Sequence, residues 1–166
     1  LIVAGNDTTT NLIANGAVML AHHSEQRRML VADRSLIPNA VEEMLRYESP
    51  AQALPRRTTE QVELYGQTIP AEQEIKLVWA AANRDEREFP DPDRFDVTRE
   101  IRRHLALGIG THFCLGSKLA RLEARVGFEE LLARIPEYKL ESEPRWVHSI
   151  WARAYAGMPV SFEPAA

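Results

Sequence analysis

Residues 108–116 constrain the fold most, because they place glycine at Gly108, Gly110 and Gly116 around the chain's single cysteine, Cys114. Glycine lets a backbone adopt positive φ or pass close to a flat ligand. A helix is predicted directly after the cysteine, and the unpaired N–H groups and dipole of a helix N-terminus stabilise a thiolate. A lone cysteine in a glycine loop is more often an inert buried residue. The full spacing G-x-G-x-H-x-C-x-G is what indicates a ligand.

Composition and charge exclude several classes of protein. The 166 residues are 45% apolar and 27% charged, as expected for one globular domain. A net charge of −4 supplies no basic excess to meet phosphates, which argues against general nucleic-acid binding. No apolar run reaches the roughly 18–20 residues that span a bilayer. A single cysteine rules out an internal disulfide and suits the reducing cytoplasm, where we expect the protein.

The chain opens inside an apolar stretch, without Met or a polar lead-in, so it is expected to begin within a helix whose preceding part is absent. That helix is predicted over residues 1–21. Residues 6–10 are expected to interrupt it, because their side chains compete for backbone hydrogen bonds. A short helix capped by Ser24 is predicted over 25–32.

Two longer helices are predicted further along the chain. One is predicted over 38–48 and starts at Pro38, whose missing N–H costs nothing in a first turn. The other is predicted over 117–135, with Ser117 as a possible cap. The apolar residues expected on its inner side are Leu119, Leu122, Val126 and Leu132.

Alternation with period two replaces the helical pattern elsewhere. Strands are predicted at 62–64, 68–70 and 75–79, and again at 138–140, 147–150 and 158–162. Residues 83–100, rich in proline, arginine and acids, are expected to be a coil, and residues 105–117 a loop.

The segment His104–Gly116 resembles the haem-binding loop of the cytochromes P450, whose pattern is F-G-x-G-x-[HR]-x-C-x-G. The resemblance implies that Cys114 ligates haem iron as a thiolate, which favours cleavage of the O–O bond. It also implies that Gly108 and Gly116 belong to the haem-binding loop. Leu107 stands where the family usually has Phe, so the surroundings of the thiolate are expected to change while the ligand is kept.

Glu43 and Arg46 lie three residues apart on one helical face. Alone, such a pair is more typical of an exposed ion pair worth roughly 0.2–0.5 kcal/mol. In the cytochromes P450 the same spacing forms a buried pair, joined by an arginine from a proline-rich meander. Residues 89–95 resemble that meander and supply Arg94. The resemblance therefore implies that Glu43, Arg46 and Arg94 hold the haem-binding core together.

Residues 4–9 resemble the family's [AG]-G-x-[DE]-T-[TS] in the helix that crosses the distal face of the haem. The resemblance implies that Ala4 and Gly5 bind the cofactor and that Gly5 leaves room for dioxygen. It further implies that Thr8 hydrogen-bonds dioxygen and that Asp7 feeds protons to it. Alone, these residues are more typical of a kink or a helix end.

The haem propionates are expected to meet basic side chains. The resemblance assigns Arg56 and His112 to them, with Arg57 a close competitor for Arg56. His104 is a further candidate, although a surface histidine explains it equally well.

Substrate contacts are expected from Ala53, Leu54, Ile150 and Trp151, for which core packing is an equal alternative. Basic residues near the cysteine form either a docking patch for an acidic electron-transfer partner or a solvated charged face. They are Arg102, Arg103, Lys118 and Arg121.

The expected fold is a single domain that is mainly α with small β-sheets, the C-terminal portion of the cytochrome P450 fold. The resemblance implies a monooxygenase of the bacterial type with haem b as cofactor. It would insert one atom of O2 into a hydrophobic small molecule, using two electrons from a ferredoxin-type donor.

Two alternatives stay open. The chain could be a non-catalytic, haem-free fragment that associates through an exposed apolar face. It could also be a haem-thiolate isomerase or peroxide-using relative, against which the Asp7–Thr8 pair argues.

Overall fold

The computed structural model of the chain describes residues 2–163, so Leu1, which opens the predicted first helix, lies outside it, as do residues 164–166. The helices are α1 (Ile2–His22), α2 (Ser24–Ala32), α3 (Ile37–Tyr47), α4 (Trp79–Ala82) and α5 (Ser117–Arg134). The strands are β1 (Leu54–Arg57), β2 (Val62–Leu64), β3 (Gln67–Ile69), β4 (Glu74–Leu77), β5 (Tyr138–Leu140), β6 (Arg145–Trp146), β7 (Tyr155–Gly157) and β8 (Val160–Phe162). The prediction of a mainly α fold with small sheets is confirmed.

Helix α1 is continuous, so the expected interruption at residues 6–10 is wrong. The Thr8 hydroxyl donates to the Ala4 carbonyl at 2.7 Å, one turn earlier in the same helix. This bond to position i−4 occupies the side chain without removing the backbone bond, which is how threonine is tolerated inside a helix.

The core lies where α1, α3 and α5 pack together. Five apolar residues of α3 recur at helical spacing and are buried: Ile37, Ala40, Val41, Met44 and Leu45. Gly16 of α1 lets the helices approach closely. A Cβ at this position would lie 2.5 Å from the Phe128 ring of α5 and 2.6 Å from the Met44 sulfur of α3.

Helix α5 buries a narrower face than predicted. Ala124, Phe128 and Leu132 are buried at four-residue spacing. Leu119, Leu122 and Val126, expected inside, are 58%, 47% and 43% exposed. The prediction was wrong for these three because the described residues supply packing partners for one face of α5 only.

Neither proposed serine cap forms. His23 and Gly116 are the N-caps of α2 and α5, and neither makes a side-chain cap bond. Ser24 and Ser117 are instead the first helical residues.

The strands form two-stranded antiparallel sheets: β1–β4, β2–β3, β5–β8 and β6–β7. The prediction of a strand at 147–150 is wrong, since this segment is the turn between β6 and β7. The turn is held to the segment after α3, where the Arg153 amide donates to the Pro50 carbonyl at 2.8 Å. Residues 83–109 carry no helix or strand.

Candidate functional site

A cleft of about 260 Å³ opens between the first half of α1, the segment after α3 and the loop before α5. Helix α1 contributes Ala4, Thr8 and Leu12, and the loop contributes Leu107, His112 and Cys114. Apart from two threonines, the histidine and the cysteine, the lining side chains are aliphatic or aromatic. The cleft is thus mostly apolar, with one cysteine thiol among its lining groups.

The loop before α5 holds its shape through glycine conformations and one backbone hydrogen bond. Gly108 has φ +71° and Gly110 φ +67°, in the left-handed region that favours glycine. A Cβ on Gly108 would also lie 3.2 Å from the His112 carbonyl oxygen. The Cys114 amide donates to the Leu107 carbonyl at 2.8 Å, so the loop closes on itself beside the thiol.

The side of the cleft formed by α1 contains part of the predicted oxygen-activation motif. Ala4 and Thr8 line the cleft, while Gly5 and Asp7 are exposed and do not. A Cβ on Gly5 would meet no atom within 4 Å, so the described residues do not crowd this position. The Thr8 hydroxyl, engaged with the Ala4 carbonyl, must turn away from it to donate into the cleft.

The donor set of this cleft fits haem. Cys114 stands just before the N-terminus of an 18-residue helix, the end of a helix at which negative charge is favoured. A soft thiolate is a haem-iron ligand, and most of the remaining lining is aliphatic or aromatic, as a flat macrocycle requires. His112 is the basic group within the lining.

Strand alternation separates the two arginines that compete for a propionate. Leu54 lines the cleft, and Arg56 lies on the same face of β1 because side chains two residues apart share a face. Arg57 lies on the other face, where it pairs with Glu72 at 2.9 Å. The geometry therefore favours Arg56, although its guanidinium does not line the cleft and donates to the Pro55 carbonyl at 2.8 Å.

The structure contradicts both roles considered for His104. The residue is neither a surface histidine nor part of the cleft, since it is 9% exposed and does not line it. Its Nε2 lies 3.0 Å from Glu42 of α3, because the chain enters the loop directly over that helix.

Glu43 and Arg46 form the expected buried pair. Both side chains are fully buried, and the guanidinium donates from Nε and Nη2 to the two carboxylate oxygens at 2.7 and 2.8 Å. Arg46 also donates to the carbonyls of Asn83 and Pro92, each at 2.9 Å. A charge pair this deep is tolerated because every polar atom has a partner.

The third member of this network is Arg99, and the prediction of Arg94 is wrong. Arg99 Nε donates to Glu43 at 3.2 Å, and its side chain is 11% exposed. The Arg94 side chain is 65% exposed and lies 3.4 Å from Asp96. Only the Arg94 carbonyl points inward, where it accepts bonds from Arg46 and Arg99.

Asn83 is a buried junction that sequence reasoning missed. Its Nδ2 donates to the Ser49 hydroxyl at 3.0 Å, and its Oδ1 accepts from the Leu105 amide at 2.7 Å. With its carbonyl bound to Arg46, Asn83 joins α3, the coil and the cysteine loop. No sequence signal distinguishes it from any other asparagine after a short helix.

Of the four substrate candidates, Leu54 lines the cleft. Ala53 is 5% exposed and belongs to the core. Ile150 and Trp151 are 66% and 39% exposed and do not line it, because the turn that carries them points to solvent.

Taken together, a mainly helical domain with a cysteine before a helix, an apolar cleft and a buried ExxR pair defines the class of haem-thiolate folds. Comparisons with known proteins agree. The family model Cytochrome P450 matches residues 18–144.

Two curated bacterial relatives are a cytochrome P450 monooxygenase, PikC, of Streptomyces venezuelae and a vitamin D(3) 25-hydroxylase of Pseudonocardia autotrophica. The first is 45% identical, over 96% of this chain and 39% of the relative. The second is 46% identical, over 99% of this chain and 42% of the relative. The solved structure of a cytochrome P450 from Chondromyces apiculatus, 48% identical, superposes with a TM-score of 0.97 over 99% of this chain and 43% of that one.

The chain belongs to the cytochrome P450 family. It spans about two fifths of the length of the relatives it matches. The resemblance seen in the motifs is confirmed, as is the expected fold.

Proposed function

We propose that this chain forms the thiolate side of the active site of a bacterial-type cytochrome P450 monooxygenase that acts on a hydrophobic small molecule. The observation that carries the proposal is Cys114 in an apolar cleft shared with Thr8 of α1. A sulfur ligand and a hydroxyl that can hold a proton thus reach one cavity from two elements far apart in the sequence.

The proposed cofactor is haem b, with Cys114 as its iron ligand. When bound, haem would supply the activation of O2: one oxygen atom would enter the substrate, and the other would leave as water with two protons and two electrons supplied from outside. Leu107 lies beside the thiolate, with its carbonyl on the Cys114 amide. His112 and Arg56 are proposed to hold the propionates, because carboxylates at an apolar cleft need basic hydrogen-bond donors as partners.

Thr8 and Asp7 are proposed to transfer protons from solvent into the cleft. The Thr8 oxygen can accept a hydrogen bond in its present rotamer and can donate one after turning from Ala4. Asp7 is exposed one residue earlier, so it can exchange protons with solvent. A hydroxyl in the cleft and a carboxylate in water are the two ends of a short relay.

The expected partner is an acidic electron donor of the ferredoxin type. Lys118, Arg121 and Arg125 line a groove on α5 next to the cysteine loop, and Arg102 and Arg103 are exposed nearby in sequence. Complementary charge would steer such a donor to this face. The lone free cysteine is consistent with a cytoplasmic location. Among the described residues, no helix is long and apolar enough to cross a bilayer.

The proposal is tested by adding haem to the chain and recording the spectrum of the reduced CO complex. We expect a red-shifted Soret band typical of thiolate ligation, lost in Cys114→Ala. Arg57→Ala serves as a control, because Arg57 faces away from the cleft. No haem uptake by the chain would instead support the alternative of a non-catalytic, haem-free fragment.

The proton relay has a separate test in turnover. Thr8→Ala should raise the oxygen consumed per product formed, since the hydroxyl in the cleft is lost. Thr10→Ala, on the same helix and outside the lining, is the matched control. Equal coupling in both variants would refute the role of Thr8.

A further inference from the structure

We propose that His104 is a positioning residue that fixes the cysteine loop, with Glu42 and Arg121 holding its imidazole in place. The proposal deepens the assignment of Cys114 and rests on it for its functional meaning. It stands on a continuous set of contacts from the surface of α5 to the Cys114 amide.

The imidazole is bound at both nitrogens. The Ala106 amide donates to Nδ1 at 3.2 Å, so Nδ1 carries no proton. Nε2 therefore carries the proton and donates it to the Glu42 carboxylate at 3.0 Å. These two bonds fit one tautomer of the imidazole, and the ring cannot rotate without losing one of them.

Glu42 is itself fixed from the other side. Arg121 of α5 donates from Nε and Nη2 to the two carboxylate oxygens, at 2.6 and 2.9 Å. Burial raises the pKa of Glu42, but the bonds from His104 and Arg121 outweigh it and lower the pKa to about 2. The Glu42 carboxylate is thus ionised near neutral pH, where it holds the His104 ring through its bond to Nε2.

These contacts fix the backbone at the start of the cysteine loop. Two successive amides there are held by buried side chains, Leu105 by Asn83 and Ala106 by His104. The next residue, Leu107, accepts the Cys114 amide through its carbonyl. Because the position of that carbonyl follows from the two amides before it, the His104 ring sets where Cys114 is held.

Many buried histidines contribute only to core packing. Because each ring nitrogen of His104 makes its own contact, substitutions that replace one contact at a time can distinguish a packing role from a positioning role. Asn can reproduce the Nδ1 acceptor for Ala106, since Asn side chains commonly accept an amide two residues on. Gln can reproduce the reach to Glu42 but not the Nδ1 geometry. Phe fills the same space and reproduces neither bond. A packing role predicts that Phe is tolerated best, and a positioning role predicts that Asn is.

The test measures amide hydrogen exchange at Cys114 in the haem-free chain, with the Leu20 amide of the α1 core as the reference for global opening. In His104→Phe and His104→Gln the Cys114 amide should exchange about fivefold faster, the change expected when one hydrogen bond of ordinary net strength is lost. In His104→Asn it should stay within about twofold of the parent chain.

An unchanged Cys114 rate in His104→Phe would overturn the proposal, as would equal rates in the Asn and Phe variants. Equal acceleration at Leu20 would also overturn it, because the effect would then be global unfolding. After haem is added, the Phe variant should lose part of the thiolate Soret band that the Asn variant keeps. Since exchange is measured without haem, failure of haem binding leaves the result on His104 intact.

Arg121→Ala and Arg125→Ala form a second matched pair on the same helix. Arg121 grips Glu42, whereas Arg125 lies 3.6 Å from Glu129. Faster exchange at Cys114 in the Arg121 variant alone supports the relay through Glu42. The same rate in both variants contradicts it.

Discussion

Replacing Arg99 by alanine should destabilise the protein by about 1.5–3 kcal/mol. The loss of its bond to the buried Glu43 carboxylate costs roughly 1.5–3 kcal/mol, as for hydrogen bonds to charged groups. The carbonyls of Pro90 and Asp91 also lose a donor, but these contacts lie near the surface, where water replaces it, and the Arg94 carbonyl keeps its bond from Arg46. Glu43 keeps Arg46, so the cost stays below the roughly 3–5 kcal/mol of a fully broken pair.

Arg94→Ala is the matched control, an arginine five residues earlier in the same coil. Its side chain is 65% exposed and its carboxylate contact is 3.4 Å long, so the expected cost is below about 1 kcal/mol. Urea unfolding followed by circular dichroism measures both variants. A cost in Arg94→Ala equal to or larger than that in Arg99→Ala would refute the assignment of Arg99 to the buried network.

Two further predictions concern stability. Gly16→Ala should lower the free energy of unfolding by about 1–3 kcal/mol, because the new methyl would lie 2.5 Å from the Phe128 ring. Gly5→Ala, with open space around it, should be neutral or stabilising by roughly 0.5–1 kcal/mol. Equal thermal unfolding midpoints for the two variants would contradict this reasoning. The pKa of Glu42 is lowered from 4.5 to about 2, so its ionic contribution is complete above about pH 4.5 and is lost as the pH falls toward 2. Glu42→Gln should therefore be less stable than the parent chain at pH 7, and its stability should approach that of the parent at pH 2.5. If the difference in stability between variant and parent is the same at both pH values, Glu42 makes no ionic contribution.

The main elements could be predicted from local sequence because their signals are local. The spacing of apolar residues in α3 and the proline at its start specify a helix whatever surrounds it. The interruption of α1 could not be judged in this way. Whether Thr8 breaks a helix or bonds to position i−4 depends on the helix continuing on both sides of it.

The candidate site was predictable where its geometry depends on a fixed spacing, as for the glycines of the Cys114 loop and the buried Glu43–Arg46 pair. It was not predictable where backbone direction decides. Arg94 and Arg99 are chemically the same, and only the path of the coil turns one inward and the other outward. The burial of His104 likewise follows from where the chain crosses α3.

The way Arg46 and Arg99 hold the coil has a consequence for sequence change. Both guanidinium groups donate hydrogen bonds to main-chain carbonyls of this segment, those of Asn83, Pro90, Asp91, Pro92 and Arg94. A carbonyl is the same in every residue, so much of the fold here is independent of which side chains the segment carries. Two arginines can therefore preserve the path of a coil whose own sequence drifts, provided that drift leaves the backbone turns intact.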